Sequence, residues 1–255
     1  MNTMNTLLQK IENAKDLDFG DIFGKSIELF KKVWVQGLVM LLLTMVLMIP
    51  IYLITFLPMM AIGFIDPEAM QQGQEPNWAL LIPFYLITIV FSFFAMIIAF
   101  GLKSAFYRIC KIKDLNEAGS DDYFYFFKKP YLGKTIKLAA MTFGISLIAT
   151  LLCVLPIFYV MVPIALINVI YAFNPDLTAS DIVKIGFKLG NKKWLITFGL
   201  LIISSILAQL VGMIMCFIGV FVTASFAYLP AYFVYKESVG FNETSAIEEI
   251  GTTVE

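Results

Sequence analysis

Residues 195–235 read LITFGLLIISSILAQLVGMIMCFIGVFVTASFAYLPAYFVY, 41 positions without one charged side chain. A helix crosses the hydrocarbon core of a bilayer with about 20 apolar residues. The stretch is therefore twice too long for one crossing and right for two, with Gly212 and Gly219 bracketing the turn. A second uncharged stretch, 138–173, runs for 36 residues with Pro156 near its middle, and it too reads as a pair. Upstream, 34–57 and 78–102 each supply one more crossing free of acidic and basic residues. The expectation is an all-α integral membrane bundle of six helices, at 34–57, 78–102, 138–155, 156–173, 195–213 and 216–235. One domain, 18–236, holds them. Residues 1–17 and the acidic tail 237–255, with five Glu and no basic residue, are expected to stay mobile, because such segments bury too little to order themselves.

Composition points the same way. Of 255 residues, 60% are hydrophobic and 15% charged, against about 45–50% and about 25% in soluble domains. The distribution of charge tests the crossing count. Every basic residue falls in one of four places: Lys10 to Lys32, Lys103 to Lys137, Lys184 to Lys193, and Lys236. With six crossings these four segments share one side. The opposite loops hold no cation, and the largest carries Asp66, Glu68 and Glu75. The positive-inside rule then puts both termini in the cytoplasm, and the first 33 residues hold no apolar signal-peptide core. Trp34, Trp78 and Trp194 each stand at the start of an expected crossing, where an indole finds apolar and wet surroundings together.

Two segments outside the crossings repeat every three or four residues. Phe19, Ile22, Phe23, Ile27, Phe30 and Val33 form one stripe, with Asp21, Lys25, Glu28, Lys31 and Lys32 on the other face. This predicts an amphipathic helix lying in the cytoplasmic headgroup region, its lysines suited to anionic lipid. Ser180 to Lys193 reads alike, with Ile182, Ile185 and Leu189 in register and Lys192 and Lys193 at its end. Aligning Trp34 with Trp194 matches Asp21 with Asp181 and Lys32 with Lys192 without a gap. A third short helix is expected around Tyr123 to Phe127, after Asp121 and Asp122. The unit of one surface helix and two crossings is then used three times.

Chemistry is limited by what is missing. There is no His, which removes Ser-His-Asp and Cys-His catalysis and His-ligated metal. Cys110, Cys153 and Cys216 are too scattered for a disulfide framework or a thiolate site. The net charge of −1 gives no field to draw nucleic acid. No catalytic residue, metal or cofactor is expected. Inside the crossings the groups that must find partners are the carboxamides Asn168 and Gln209, with Ser205 beside them as a possible intramembrane contact.

Several motifs resemble a known class. FGDIFGKSIELFKKVW resembles the entry helix of bacterial six-helix membrane proteins of unknown function. GLKSAFYRICK and DDYFYFFKK resemble that class's central cytoplasmic region. The stretch from SDIVKIGFKLGNKKW to FVYKE is similar to the membrane domain attached to some glycerophosphodiester phosphodiesterases. The resemblance covers residues 18–237 and implies the fold and a bacterial inner-membrane location, not an activity. The chain departs from the pattern at Ala224 and Ser225, where the class has a proline, and at Gly186, where it commonly has Ser. The function expected is a non-enzymatic inner-membrane scaffold or accessory subunit, in contact with membrane lipids and with copies of itself or other membrane proteins. The alternative is a carrier handling lipids or small molecules, which a cavity between the helices would favour.

Overall fold

The computed structural model describes residues 3–61, 78–152, 155–215 and 218–241, all helical or connecting, with no strand among them. The acidic loop residues Asp66, Glu68 and Glu75, Cys153, Cys216 and the tail beyond Phe241 lie outside the described residues. Helix α1 covers Met4–Glu12, α2 Phe19–Ala61, α3 Trp78–Leu115, α4 Lys129–Leu151, α5 Leu155–Phe173, α6 Ala179–Lys192, α7 Trp194–Ile214, α8 Ile218–Thr223 and α9 Leu229–Ser238. Two 3₁₀ segments, Tyr125–Phe127 and Ala224–Tyr228, lie before α4 and between α8 and α9. Helices α2, α3, α4, α5 and α7 are long and apolar enough to cross a membrane.

The expected segment around Phe19–Val33 is not a separate helix. It forms the first turns of α2, which runs unbroken for 43 residues. No proline or paired glycine interrupts the chain at Val33–Trp34, and a change from amphipathic to wholly apolar sequence does not end a helix. At 1.5 Å per residue α2 is about 64 Å long, twice the roughly 30 Å core of a bilayer. Its first part packs inward: Ile22, Ser26, Leu29 and Val33 are buried. Phe23 and Phe30 meet the ring of Phe226 edge-on at 5.8 and 5.5 Å. Helix α3, 38 residues long, likewise continues past residue 102 to Leu115.

These extensions build a protein core at one end of the bundle, where Phe100, Phe106, Tyr107, Tyr171, Tyr232 and Tyr235 are fully or almost fully buried. At the other end the outer turns of α2 and α3 expose Leu53, Ile54, Leu57, Ile82, Leu86 and Val90. So much contiguous apolar surface is foreign to a soluble monomer. Helix α5 is the central rod, buried along Leu166 to Tyr171. Helix α6 lies across it through Gly186 and Gly190. A Cβ on Gly186 would stand 2.4 Å from Ile167 Cγ1, and one on Gly190 3.1 Å from Pro163 Cα. This is a small-xxx-small contact, and it explains why glycine rather than serine occupies position 186.

Residues 1–17 are not a loose end. Thr3 caps α1 by accepting from the Thr6 amide, and Leu7 and Ile11 are fully buried against the body, which α1 reaches through α6. The apolar positions at i and i+4 in this short segment give it a face to bury. Phe241, just inside the expected tail, packs on Phe173 at 4.6 Å. The threefold unit is not reproduced as three surface helices. The first is part of α2, the middle one is the three-residue 3₁₀ turn Tyr125–Phe127, and α6 alone is a separate helix.

Candidate functional site

A cavity of about 370 Å³ opens between α3, α4, α5, α7 and the 3₁₀ segment Ala224–Tyr228. Its long wall is one face of α5, where Ile157, Met161, Ile164 and Asn168 recur at helical spacing. Eleven residues separate Ile157 from Asn168, so the wall is about 16 Å long at 1.5 Å per residue. Helix α4 adds Ser146 and Thr150, and α7 adds Leu201 and Ser205, each pair one turn apart.

The polar groups gather near Asn168. Ser104 Oγ donates to Asn168 Oδ1 at 2.9 Å in a buried hydrogen bond. That bond fixes the carboxamide with its Nδ2 amine free, and no acceptor among the described residues meets it. Lys103, next to Ser104 on α3, lines the same cavity. Its Nζ stands 4.4 Å from the centroid of the Tyr228 ring, a cation–π contact. No carboxylate among the described residues pairs with Lys103, and none lines the cavity. Tyr228 is held in turn, because Tyr107 Oη donates to its carbonyl oxygen at 3.2 Å. The hydroxyls of Ser146 and Ser205 also lack a partner among the described residues.

Of the residues singled out from the sequence, Asn168 and Ser205 meet at this cavity. Gln209 does not: it is exposed on α7, one turn beyond Ser205 on nearly the same face, and is not part of the cavity lining. Lys103 was missed. It stands one residue past the expected end of a crossing, so it counted among the cytoplasmic cations. The signal for it was the apolar run on both sides, Phe100 and Leu102 before and Ala105 and Phe106 after, which continues the helix through it.

The expected interface residues divide. Trp34 is exposed on α2. Trp194 opens α7, donates from Nε1 to the Tyr159 carbonyl at 3.1 Å and stacks on Phe198 at 4.7 Å. Trp78 opens α3; its side chain is outside the described portion. Phe19 stacks on Phe23 at 6.1 Å, and these rings with Phe30 are half-buried. Lys31 pairs with Glu28 at 2.6 Å, and Lys32 is exposed. Lys192 and Lys193 hold the N-terminal segment. Lys192 Nζ donates to the Ile11 carbonyl at 2.8 Å and to that of Glu12. Lys193, 5% exposed, donates to the Lys15 carbonyl at 2.6 Å. Both bind carbonyls at or just past the end of α1, where a cation also suits the helix dipole.

Around this end, charges and rings tie the elements together. Asp114 accepts from Lys236 at 2.6 Å and from Tyr232 Oη at 2.7 Å, joining α3 to α9. The Arg108 guanidinium lies 3.4 Å from the centre of the Tyr125 ring. Burial first, and the nearby Asp121 carboxylate second, push the Tyr123 hydroxyl up to about 12. Burial, with the hydrogen bond to Tyr131 next, does the same to Tyr125. Among the described residues no group of three or more Cys, Asp or Glu stands where it could hold a metal ion.

No family model, curated protein or solved structure matches the chain.

Proposed function

We propose that this chain is a non-enzymatic membrane protein of six crossings that holds an amphiphile between its helices. Both termini lie in the cytoplasm of a bacterial inner membrane, and the fold is akin to the membrane domain attached to some glycerophosphodiester phosphodiesterases. The observation that carries the binding role is the cavity beside α5, whose volume falls within the roughly 300–1,000 Å³ of ligand sites and whose walls are apolar along most of their length. It favours a lipid- or small-molecule-handling protein over a scaffold, which needs no internal space.

The topology rests on charge. Six crossings put all 18 basic residues on one side, and five helices have the length and hydropathy for it. The sixth crossing is the composite of α8, the 3₁₀ segment and α9. Its 6, 5 and 10 residues rise about 34 Å in all, at 1.5 Å per α and 2.0 Å per 3₁₀ residue. Irregular backbone at membrane depth is tolerated where protein buries it, and Ser225 and Phe226 are buried.

Two experiments test this reading. In a cysteine-free background, Gln72→Cys should react with a membrane-impermeant maleimide from outside and Lys184→Cys only after the membrane is opened; the reverse refutes the topology. Native mass spectrometry of the full chain released from native membranes in mild detergent should show one retained lipid-sized adduct per chain. A bare chain under conditions that keep it folded refutes the binding role.

A further inference from the structure

The polar end of the cavity has a sign. Lys103 supplies a positive charge, Asn168 supplies two N–H donors with their own oxygen already engaged by Ser104, and no acidic residue balances them within the lining. An ammonium in low-dielectric surroundings is costly unless paired. Here a single aromatic face is all that the described residues set against it. A cation without an anion, beside a carboxamide N–H₂ without an acceptor and hydroxyls that can turn to donate, makes an anion site. The rest of the lining argues against a free ion: Ile157, Val160, Met161 and Ile164 continue from the polar end along some 16 Å of α5, with Leu201 of α7 beside them, and a small hydrated anion gains nothing from such a wall.

Building on the lipid-binding reading above, we propose that the occupant is an anionic lipid, its phosphate or carboxylate headgroup bound by Lys103 Nζ and Asn168 Nδ2 and one acyl chain laid along α5 toward Ile157. On binding, the headgroup oxygens take over the ammonium from the Tyr228 ring. The two hydroxyls near the apolar wall, Ser146 and Ser205, are left for a glycerol or ester oxygen. Lys103 is the selectivity residue: without its charge the cavity keeps its shape and loses its preference for anions.

The full chain is reconstituted in nanodiscs of phosphatidylcholine with a minor fraction of phosphatidylglycerol, released, and weighed by native mass spectrometry. The wild type should retain one phosphatidylglycerol in at least tenfold preference over phosphatidylcholine, relative to their abundance. Lys103→Gln should lose that preference, Lys103→Arg should keep it, and Lys184→Gln, an exposed lysine elsewhere, should leave it unchanged. Asn168→Ala should weaken retention without abolishing the preference. Millimolar inorganic phosphate should not displace the lipid. Retention of phosphatidylcholine with equal ease, or an unchanged preference in Lys103→Gln that elutes as monodisperse as the wild type, overturns the anionic assignment and leaves the lipid-binding reading standing. Displacement by inorganic phosphate would transfer the site to a free anion and overturn the lipid. A wild type that retains no lipid of either kind refutes the binding reading itself.

Discussion

Substituting Gly212 by Ala tests how closely α7 and α8 approach at the turn between them. A methyl group at that position would stand 2.6 Å from Val220 Cα and 2.7 Å from the Val220 amide nitrogen. Non-bonded carbons sit comfortably at about 3.5–4.0 Å, so the two helices must part by about an ångström. The obstacle is backbone, which cannot rotate away as a side-chain tip can. Overpacking of this kind costs about 1–3 kcal/mol, offset in part by up to about 1 kcal/mol of helix propensity gained on replacing glycine. Gly144 on α4 is the control, since nothing lies within 4 Å of a Cβ added there and only the propensity gain applies. The two alanine variants therefore differ by about 1–3 kcal/mol. In a chain of this size each kcal/mol moves the melting temperature by about 2–4 °C, so Gly212→Ala should melt about 2–12 °C below Gly144→Ala. Thermal unfolding in one detergent, followed by tryptophan fluorescence, reads the difference. Equal melting temperatures would refute the close approach of α7 and α8, and with it the hairpin on which the proposed sixth crossing depends.

Replacing Lys192 and Lys193 together by Met removes the donors that hold the carbonyls of Ile11, Glu12 and Lys15. Hydrogen bonds from charged donors are worth about 1.5–3 kcal/mol each, so amide exchange over Met4–Glu12 should quicken at least about tenfold, and unchanged protection would show that α1 is held by Leu7 and Ile11 alone. The tyrosines near the 3₁₀ turn give a pH signature. Tyr123 and Tyr125 are raised from 10 to about 12, so the folded state keeps their protons longer than the unfolded state does. Their share of stability is fully present below pH 10 and is lost as pH rises through 12; both stay mostly protonated at pH 11, so Tyr123→Phe or Tyr125→Phe should leave the tyrosinate absorbance at pH 11 close to that of the wild type, and loss of a full tyrosine's share would refute the raised values.

Where the chain carries its own punctuation, the sequence and the structure agree closely. The crossing expected at 156–173 is the helix Leu155–Phe173, with Pro156 as its second residue, and that expected at 195–213 is Trp194–Ile214. Proline is favoured in a first turn, where its missing N–H costs nothing, and the charged pair Lys192–Lys193 marks the other start. Gly212 and Gly219 do flank a turn. Agreement fails where a boundary is one of polarity alone. Val33 to Trp34 and Leu102 to Lys103 separate apolar from charged sequence, but backbone hydrogen bonding continues through both. Hydropathy there marks a change of polarity and not the helix end. The 3₁₀ turn Ala224–Tyr228 has neither Pro nor Gly within it to announce it, and its geometry follows from contacts such as Tyr107 Oη with the Tyr228 carbonyl, made across 121 positions of chain.

The same distinction decides which polar residues matter. Position along a helix gives depth, and a hydropathy profile reads depth well; whether a polar group at a given depth meets protein or is left exposed is decided by what packs opposite it, and even two positions on one helix face can differ. Gln209 and Ser205 lie one turn apart on α7 and share nearly one face, yet Gln209 is exposed and Ser205 lines the cavity. Asn168 was legible as a group in need of a partner, and it has one in Ser104. What the sequence could not give is that Ser104 engages its oxygen and leaves its nitrogen without an acceptor beside Lys103. A charge counted at the membrane edge and an amide counted within it become one site because α3 does not stop at residue 102. The long aliphatic stem of Lys103 then lies along apolar surface while its ammonium reaches the Tyr228 ring. The polarity of the cavity is thus a consequence of helix continuity, and any perturbation that breaks α3 between Gly101 and Ala105 should abolish anion preference even with every lining residue intact.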